Sequence, residues 1–110
     1  MALHKNYING EWVEGKGVRE NINPSDLTDV VGEYAQADAG QAEAAIAAAK
    51  AAQPGWAAST PQAKADALEA IGVELLARKD EIGRLLSREE GKPLANGIAE
   101  TMRAAQIFKF

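Results

Sequence analysis

The sequence predicts an α/β fold in which short antiparallel strands occupy residues 1–37 and helices occupy residues 38–110. The strand region contains Asn9-Gly10 between β-forming residues, a strong hairpin signal because both turn positions need positive φ. At Asp38 the composition changes to mostly alanine, the best helix former. Farther on, leucine and isoleucine recur with the helical period. A chain of 110 residues amounts to at most one domain with a thin core.

Four short strands are expected before the helices. Their approximate bounds are 5–8, 11–13, 18–22 and 30–35. Residues 23–26, Asn-Pro-Ser-Asp, form a turn in which proline pre-sets φ, and Gly32 is expected to interrupt the last strand. Such strands make a small antiparallel meander or a pair of hairpins, which is stable only if helices cover it.

The first helix is predicted over residues 39–52. Asp38 and Gln41 have the spacing of a capping box, in which each side chain bonds the other residue's backbone N–H. Pro54 and the glycine after it are expected to end the helix. Trp56 is expected to anchor the loop that follows.

An apolar stripe then predicts two helices in succession. Thr60 is a suitable N-cap with proline after it. The stripe consists of Leu68, Ile71, Leu75, Ile82 and Leu86. Lys79 interrupts it and Asp80 is a potential cap, so the helices are expected over about 61–78 and 80–90. The basic residues near the break are Arg78, Lys79, Arg84 and Arg88. They form either a solvated face with neighbouring acids or an anion site.

The last helical pattern begins after Pro93 and does not end before Phe110. Its apolar positions are Leu94, Ile98, Met102, Ala105 and either Ile107 or Phe108. No glycine, asparagine or proline terminates the pattern, and large apolar groups crowd its final turn. We therefore expect more protein to pack against this helix and the chain to be a fragment.

The two last helices meet at a turn whose residues have defined preferences. Gly91 suits the left-handed position that ends a helix, and Pro93 suits the first turn of the next one. Glu89 and Glu90 lie in the last turn of the incoming helix, where the macrodipole disfavours carboxylates. Such acids need a positive partner. The candidates are Arg88, Lys92, an arginine from elsewhere in the chain and a bound metal cation.

Composition limits the classes of function. The net charge is −4 and Lys and Arg are not clustered, so nucleic acid is not an expected partner. Cysteine is absent, which excludes disulfides, thiolate metal sites and a cysteine nucleophile within these residues. No apolar run is long enough to span a bilayer, and the N-terminus lacks a signal-peptide core. We therefore expect a cytoplasmic protein without membrane contact.

Few residues are candidates for chemistry. There is no Gly-x-Gly-x-x-Gly motif, phosphate loop or Gly-x-Ser-x-Gly motif. His4, the single histidine, lies near an end that is expected to fray, and it is interpreted as incidental and not as a general base. Lys92 follows a glycine but no glycine-rich loop precedes it, so it is interpreted as a helix-end cation. Trp12 and Trp56 are interpreted as packing residues, with a ligand platform as the alternative.

Five segments form an ordered set along the chain. They are Tyr7 to Val13, Asn23-Pro24-Ser25, Val31-Gly32, the alanine-rich helix before Trp56, and Glu89 to Leu94. No single segment is specific, but their order and spacing together resemble the amino-terminal region of NAD(P)-dependent aldehyde dehydrogenases over nearly the whole chain. Residues 23–32 look most like bacterial members that act on short semialdehydes, such as α-ketoglutaric semialdehyde dehydrogenases.

The resemblance implies a longer enzyme that oxidises an aldehyde to a carboxylate with NAD or NADP. In the family, a cysteine forms a thiohemiacetal, hydride passes to the nicotinamide, and a glutamate activates the water that hydrolyses the thioester. These catalytic and cofactor-binding residues are expected beyond Phe110, so none is assigned, and the chain is expected to be inactive alone. It would supply the β-hairpins and outer helices of the Rossmann-like coenzyme domain. Its partners would be the remainder of the enzyme chain and, as is common in the family, further copies in a homo-oligomer.

The resemblance also implies a structural monovalent cation, which many members hold. Its ligands are backbone carbonyls just before the Asn-Pro turn and an acidic side chain two residues before the Gly-Lys-Pro glycine. These positions correspond here to Asn21, Ile22 and Glu89. The match gives a reason for a carboxylate at the negative end of a helix.

A different class of protein remains compatible with the same residues. The chain could be a self-contained α+β module that binds or assembles with a partner without catalysis. Both hypotheses predict an apolar surface that another polypeptide covers.

Overall fold

The computed structural model describes residues 2–110. Its strands are β1 (Leu3–His4), β2 (Asn6–Ile8), β3 (Glu11–Val13), β4 (Gly17–Ile22) and β5 (Val30–Gln36). Its helices are α1 (Ala39–Ala58), α2 (Pro61–Ala77), α3 (Lys79–Glu90) and α4 (Leu94–Lys109). The predicted α/β class is confirmed. The chain forms two compact units: the first comprises the chain up to Ile22 with Thr28–Ala58, and the second comprises Asn23–Leu27 with Ser59–Phe110.

The predicted hairpin is confirmed in the first unit. β2 and β3 pair in antiparallel register around Tyr7 and Trp12, whose ring centroids lie 4.8 Å apart. Asn9 has a φ of 53° and Gly10 a φ of 79°, as a tight hairpin turn requires. Trp12 is exposed and therefore packs on its cross-strand neighbour and not in a core.

β5 is the central strand of the first unit's larger sheet, which has the order β1-β5-β4 within residues 2–110. β4 pairs with β5 in antiparallel register, but β1 pairs with it in parallel, so the prediction of antiparallel strands alone is wrong for β1. A strand of two residues carries no alternating pattern that a sequence could reveal. The pairing places His4 opposite Tyr34, and their rings stack with centroids 4.7 Å apart. His4 therefore has a packing role.

Gly32 does not interrupt β5, contrary to the prediction. It pairs with Asn21, and the irregularity in register lies between Asn21 and Ile22 on β4. A Cβ atom at Gly32 would lie 3.0 Å from Cε2 of Tyr34 and 3.1 Å from Cδ2 of His4. The glycine therefore makes room for the stacked rings.

Gln41 explains how α1 begins. Its backbone N–H donates to Oδ1 of Asp38 at 2.8 Å, which confirms Asp38 as the N-cap. The reciprocal bond of a capping box is replaced by two longer-range bonds. The Gln41 amide donates to the carbonyl oxygen of Glu14 at 2.8 Å and accepts from Nδ2 of Asn6 at 2.7 Å. The first turn of α1 is thereby tied to both ends of the hairpin.

The predicted end of α1 before Pro54 is wrong, because the helix continues through this residue to Ala58. Proline removes one backbone donor from the helix, and the alanine-rich sequence on both sides has enough helix propensity to continue. Trp56 consequently lies on the helix and not in a loop, and it is half exposed. Throughout Ala39–Ala58, all of which the structure describes, no residue is buried.

The second unit contains the predicted division between two helices. Thr60 caps α2 by accepting from the Ala63 N–H at 3.1 Å. The break falls at Arg78, as expected, but Asp80 lies inside the first turn of α3 and is not its N-cap. The Arg78 guanidinium binds both carboxylate oxygens of Glu81 at 2.7 and 3.0 Å, and Nζ of Lys79 lies 3.2 Å from Asp80. These pairs favour the solvated charged face over an anion site for Arg78 and Lys79.

Small residues form the contacts among the helices of the second unit. The buried positions are Gly72 on α2, Gly83 on α3, and Gly97, Thr101 and Ala105 on α4. A Cβ atom at Gly97 would lie 2.3 Å from the carbonyl oxygen of Gly83, and one at Gly83 would lie 2.7 Å from Cα of Ile98. α3 and α4 thus touch through their backbones.

The predicted apolar stripe of α4 includes a buried residue, but its large side chains are less buried than the pattern suggested. Ala105 is only 2% exposed, whereas Leu94 and Phe108 on the same stripe each keep 37% of their surface exposed. Periodicity identifies large apolar residues, but a close helix crossing buries the small ones between them. Among residues 2–110, Ala105 is the one buried apolar side chain.

Replacing Gly97 with alanine should test the backbone contact between α3 and α4. We expect Gly97→Ala to lower the free energy of unfolding by about 1–3 kcal/mol, because the added methyl group overpacks a contact with backbone atoms. Gly55→Ala is the control, since no atom lies within 4 Å of a Cβ there. It should stabilise α1 by about 0.5–1 kcal/mol through helix propensity. Thermal unfolding followed by circular dichroism measures both, and equal effects of the two variants would contradict the close contact.

Candidate functional site

The corner between α3 and α4 is the candidate site, since the motif Glu89-Glu90-Gly91-Lys92-Pro93 lies there. Gly91 has a φ of 70° and its N–H donates to the carbonyl oxygen of Ser87 at 2.9 Å, so the predicted left-handed helix end is confirmed. Pro93 precedes the first helical residue, one position earlier than expected. Its carbonyl accepts from the N–H groups of Asn96 and Gly97 at 3.0 and 3.2 Å, which starts α4.

The Asn-Pro turn contacts this corner within the second unit. Its own geometry is as predicted: Asn23 accepts from the Asp26 N–H on its carbonyl at 3.2 Å and from the Ser25 N–H on its side chain at 2.9 Å. The Ser25 hydroxyl donates to the carbonyl oxygen of Gly91 at 3.4 Å. A Cβ atom at Gly91 would lie 2.8 Å from Ser25 Oγ and 2.9 Å from Pro24 Cγ. Glycine is therefore required at position 91 both by φ and by space.

Lys92 is the positive partner of Glu90, one of the two acids at the end of α3. Its Nζ lies 2.5 Å from a carboxylate oxygen of Glu90 and also pairs with the carboxylate of Glu100, nearly two turns into α4. The hydrogen bonds that its ammonium donates to Glu100 and, second, to Glu90 raise the pKa of Lys92 above its ordinary value. Its backbone carbonyl accepts from the Ser87 hydroxyl at 2.5 Å. Lys92 thus joins the end of α3 to the beginning of α4.

The residues predicted to hold a monovalent cation fall in different units. Asn21 and Ile22 end β4 in the first unit, at the irregularity in its register. Glu89 lies in the last turn of α3 in the second unit, where its side chain is exposed. In residues 2–110, no group of three or more His, Cys, Asp and Glu side chains could hold a metal ion. A site built from these two carbonyls and one carboxylate stays a prediction.

Several residues of the corner were not predicted from the sequence. Ser87 and Ser25 act through single hydroxyl hydrogen bonds, which no spacing rule identifies. Glu100 lies eight residues after Lys92, and only the corner brings their side chains together.

Across the described helices, none is both long and apolar enough to cross a bilayer.

The double ion pair of Lys92 should leave a signature in the pH dependence of stability. Because the folded-state pKa is raised, the ammonium stabilises the fold below the ordinary lysine value of 10.5. This contribution is lost as the pH rises through the folded-state pKa. Lys92→Met should therefore lower the thermal unfolding midpoint at pH 7, and its difference from the wild type should shrink at alkaline pH.

Lys79→Met is the matched control for that experiment, since Nζ of Lys79 pairs at 3.2 Å with the neighbouring, exposed Asp80. Its effect should be smaller, as is usual for an exposed pair. A difference between Lys92→Met and wild type that stays constant across the alkaline range would contradict the role given to Lys92.

Comparison with known proteins places these features in a family. The sequence model of the Aldehyde dehydrogenase family matches residues 12–110. An alpha-ketoglutarate semialdehyde dehydrogenase of Haloferax volcanii is 37% identical over 96% of this chain and 22% of its own length. An alpha-ketoglutaric semialdehyde dehydrogenase of Bacillus subtilis is 32% identical, again over 96% of this chain and 22% of its own length.

Solved structures agree with the fold. The NAD-dependent benzaldehyde dehydrogenase of Corynebacterium glutamicum superposes with a TM-score of 0.89 at 33% identity, over 96% of this chain and 23% of that one. The chain therefore spans about a fifth of the length of the relatives that it matches. The match covers the hairpin from Trp12 onwards, the Asn-Pro turn and the α3–α4 corner. The chain belongs to the aldehyde dehydrogenase family.

Proposed function

We propose that this chain is the amino-terminal segment of an NAD(P)-dependent aldehyde dehydrogenase that oxidises a short semialdehyde to a carboxylate. The observation that carries the proposal is the family match over residues 12–110. The semialdehyde is supported by relatives in Haloferax volcanii and Bacillus subtilis that are named for α-ketoglutaric semialdehyde. The coenzyme domain of the whole enzyme would use NAD or NADP, and the enzyme would be a cytoplasmic homo-oligomer.

The residues of this chain fit a scaffold and not a reactive centre. The 110 residues contain no cysteine, so the thiol nucleophile of the family must come from another part of the enzyme. They also contain no glycine-rich dinucleotide motif, so we assign no residue to NAD(P) and no step of hydride transfer. The chain alone is expected to be inactive. Its contribution would be to place the hairpin and the helical corner against the remainder of the enzyme.

A chimeric enzyme tests this function. This chain would replace the matched segment of the Bacillus subtilis α-ketoglutaric semialdehyde dehydrogenase, and NAD(P)H formation from the semialdehyde would be measured. We expect kcat/KM to stay within about tenfold of the recipient enzyme, which corresponds to ~1.4 kcal/mol in the barrier. The isolated chain should give no NAD(P)H.

One control and one contradicting outcome define the interpretation of the chimera. A chimera carrying Gly97→Leu should lose folding and activity, because the side chain would collide with the backbone of α3. A chimera that is soluble and folded but forms no NAD(P)H would contradict the proposed function. It would favour the alternative of a non-catalytic binding module.

We also propose that Glu89 binds a structural monovalent cation, the role that the family resemblance implies for it and for the carbonyls of Asn21 and Ile22. Carbonyl and carboxylate oxygens are the donors that hard cations take. The irregular register at Asn21 and Ile22 supports the proposal, because a bulge withdraws backbone groups from the regular ladder. The engagement of Lys92 by Glu90 and Glu100 supports it as well, since the ammonium is then not bound to Glu89.

Cation-dependent stability tests this site. Thermal unfolding midpoints of the chain would be measured in potassium or sodium chloride, with choline chloride at the same ionic strength as the reference. The wild type should be stabilised progressively by the bound ion, as mass action requires. Glu89→Gln should abolish this dependence, whereas Glu90→Gln should retain it. Equal cation dependence in the wild type and Glu89→Gln would overturn the assignment.

A further inference from the structure

The sequence contains two Asn-Gly pairs, and the fold places them in opposite environments. Asn9 and Gly10 form the exposed tip of the β2–β3 hairpin, where a Cβ atom on the glycine would have no other atom within 4 Å. Asn96 and Gly97 lie in the first turn of α4, where the glycine is buried. The same dipeptide is therefore open at one position and enclosed at the other.

An asparagine followed by glycine can react with its own backbone. The next backbone nitrogen attacks Cγ of the asparagine, and glycine has no side chain that hinders this approach. A bond forms between that nitrogen and Cγ, the bond from Cγ to the side-chain NH2 group breaks, and the NH2 group takes up the nitrogen's proton and leaves as ammonia. Water then opens the succinimide ring. Opening at Cγ gives aspartate, whereas opening at the main-chain carbonyl gives isoaspartate.

We propose that Asn9 is a site of spontaneous deamidation in the folded chain and that Asn96 is protected from the same reaction. In the hairpin the last ladder pair is Ile8 with Glu11, so the nitrogen of Gly10 lies outside the ladder. Ring closure requires a rotation about ψ of Asn9 that brings this nitrogen to Cγ. The rotation disturbs only the end of a two-stranded sheet, which is marginally stable by itself.

The tip of the hairpin is free to make this rotation because its fixed points lie at the other end. Gln41 bonds the side chain of Asn6 at 2.7 Å and the carbonyl oxygen of Glu14 at 2.8 Å, which secures the open end of the hairpin. A cavity of about 320 Å³ lies between the tip and the alanines of α1, so the turn has room to rearrange. The tip can therefore open locally while the rest of the first unit stays folded.

Asn96 and Gly97 are held by the helix and by a helix contact. Their backbone N–H groups donate to the carbonyl oxygen of Pro93 at 3.0 and 3.2 Å, so the nitrogen that would attack is already a donor in the first turn of α4. A Cβ atom at Gly97 would lie 2.3 Å from the carbonyl oxygen of Gly83, so this turn is also pressed against α3. Attack at Asn96 would require the turn to unwind and the two helices to separate, which is a much larger opening.

The two products differ in their effect on the hairpin. Aspartate leaves the main chain unchanged, and Asp-Gly suits the same turn, so this product adds only a negative charge. Isoaspartate carries the main chain through the former side chain and lengthens the turn by one methylene. Because turn geometry sets the register of a hairpin, Ile8 and Glu11 would then lose their pairing, and the contact of Tyr7 with Trp12 would weaken.

Peptide mapping of the incubated chain tests the proposal. The chain is kept in mildly alkaline buffer below its unfolding temperature, and samples are digested with trypsin, which releases Asn6–Lys16 and Glu89–Arg103. Mass spectrometry measures the deamidated fraction of each peptide over time. In the folded chain Asn9 should react at least about tenfold faster than Asn96, because the required openings differ in free energy. In concentrated urea the two rates should converge, since both sites are Asn-Gly.

Two variants provide the references for this measurement. Asn9→Gly has a Gly-Gly turn of the same type but no amide at position 9, so its peptide Asn6–Lys16 should stay unchanged. This control also accounts for reaction at Asn6. Asn9→Asp supplies the aspartyl product directly, and a deamidated wild-type peptide of equal mass that elutes apart from it contains isoaspartate.

Equal rates at Asn9 and Asn96 in the folded chain would overturn the proposal, as would an Asn9 that reacts only in urea. The effect on the hairpin has its own readout in the near-ultraviolet circular dichroism of the Tyr7–Trp12 pair. This signal should decline in step with the isoaspartyl fraction and stay constant in Asn9→Gly. An unchanged signal in isoaspartyl chains would overturn the effect drawn for the hairpin.

Discussion

The backbone contact between α3 and α4 is the constraint on which the candidate site depends. Gly97 approaches the Gly83 carbonyl so closely that no side chain fits between them. The separation of the two helices is therefore set by main-chain atoms, whose positions side-chain rotamers cannot change. The turn at Gly91 must close this short distance, and its left-handed φ is the conformation that does so.

The polar groups of the corner link the end of α3 to the beginning of α4. A helix end leaves carbonyl or N–H groups without partners and accumulates partial charge. Here the Ser87 hydroxyl bonds the Lys92 carbonyl, while the Lys92 ammonium pairs with acids from both helices. Glu90 is thereby matched with a cation despite its position at the negative end of α3. The Asn-Pro turn adds Ser25 to the same corner through the Gly91 carbonyl.

Local signals were predictable from the sequence, whereas contacts between distant residues were not. The hairpin turn at Asn9, the caps at Asp38 and Thr60, and the helix end at Gly91 depend on a few neighbouring residues, and all were confirmed. The roles of Gln41 and Glu100 depend on partners that folding brings close, so their spacing suggested a different role or none. The burial of the large residues in the α4 stripe was overestimated, because a close helix crossing buries small residues whereas periodicity identifies large ones. Continuation through Pro54 shows that a strong local propensity can outweigh a local breaker.

α1 differs from the other helices in what holds it in place. Polar bonds secure its first turn to the hairpin, and along its whole described length no side chain is buried. Substitutions at its exposed positions therefore remove little packing within this chain. The isolated chain should thus tolerate most changes along α1, provided that helicity and the residue at position 41 persist, whereas the glycine corner can accept almost no change.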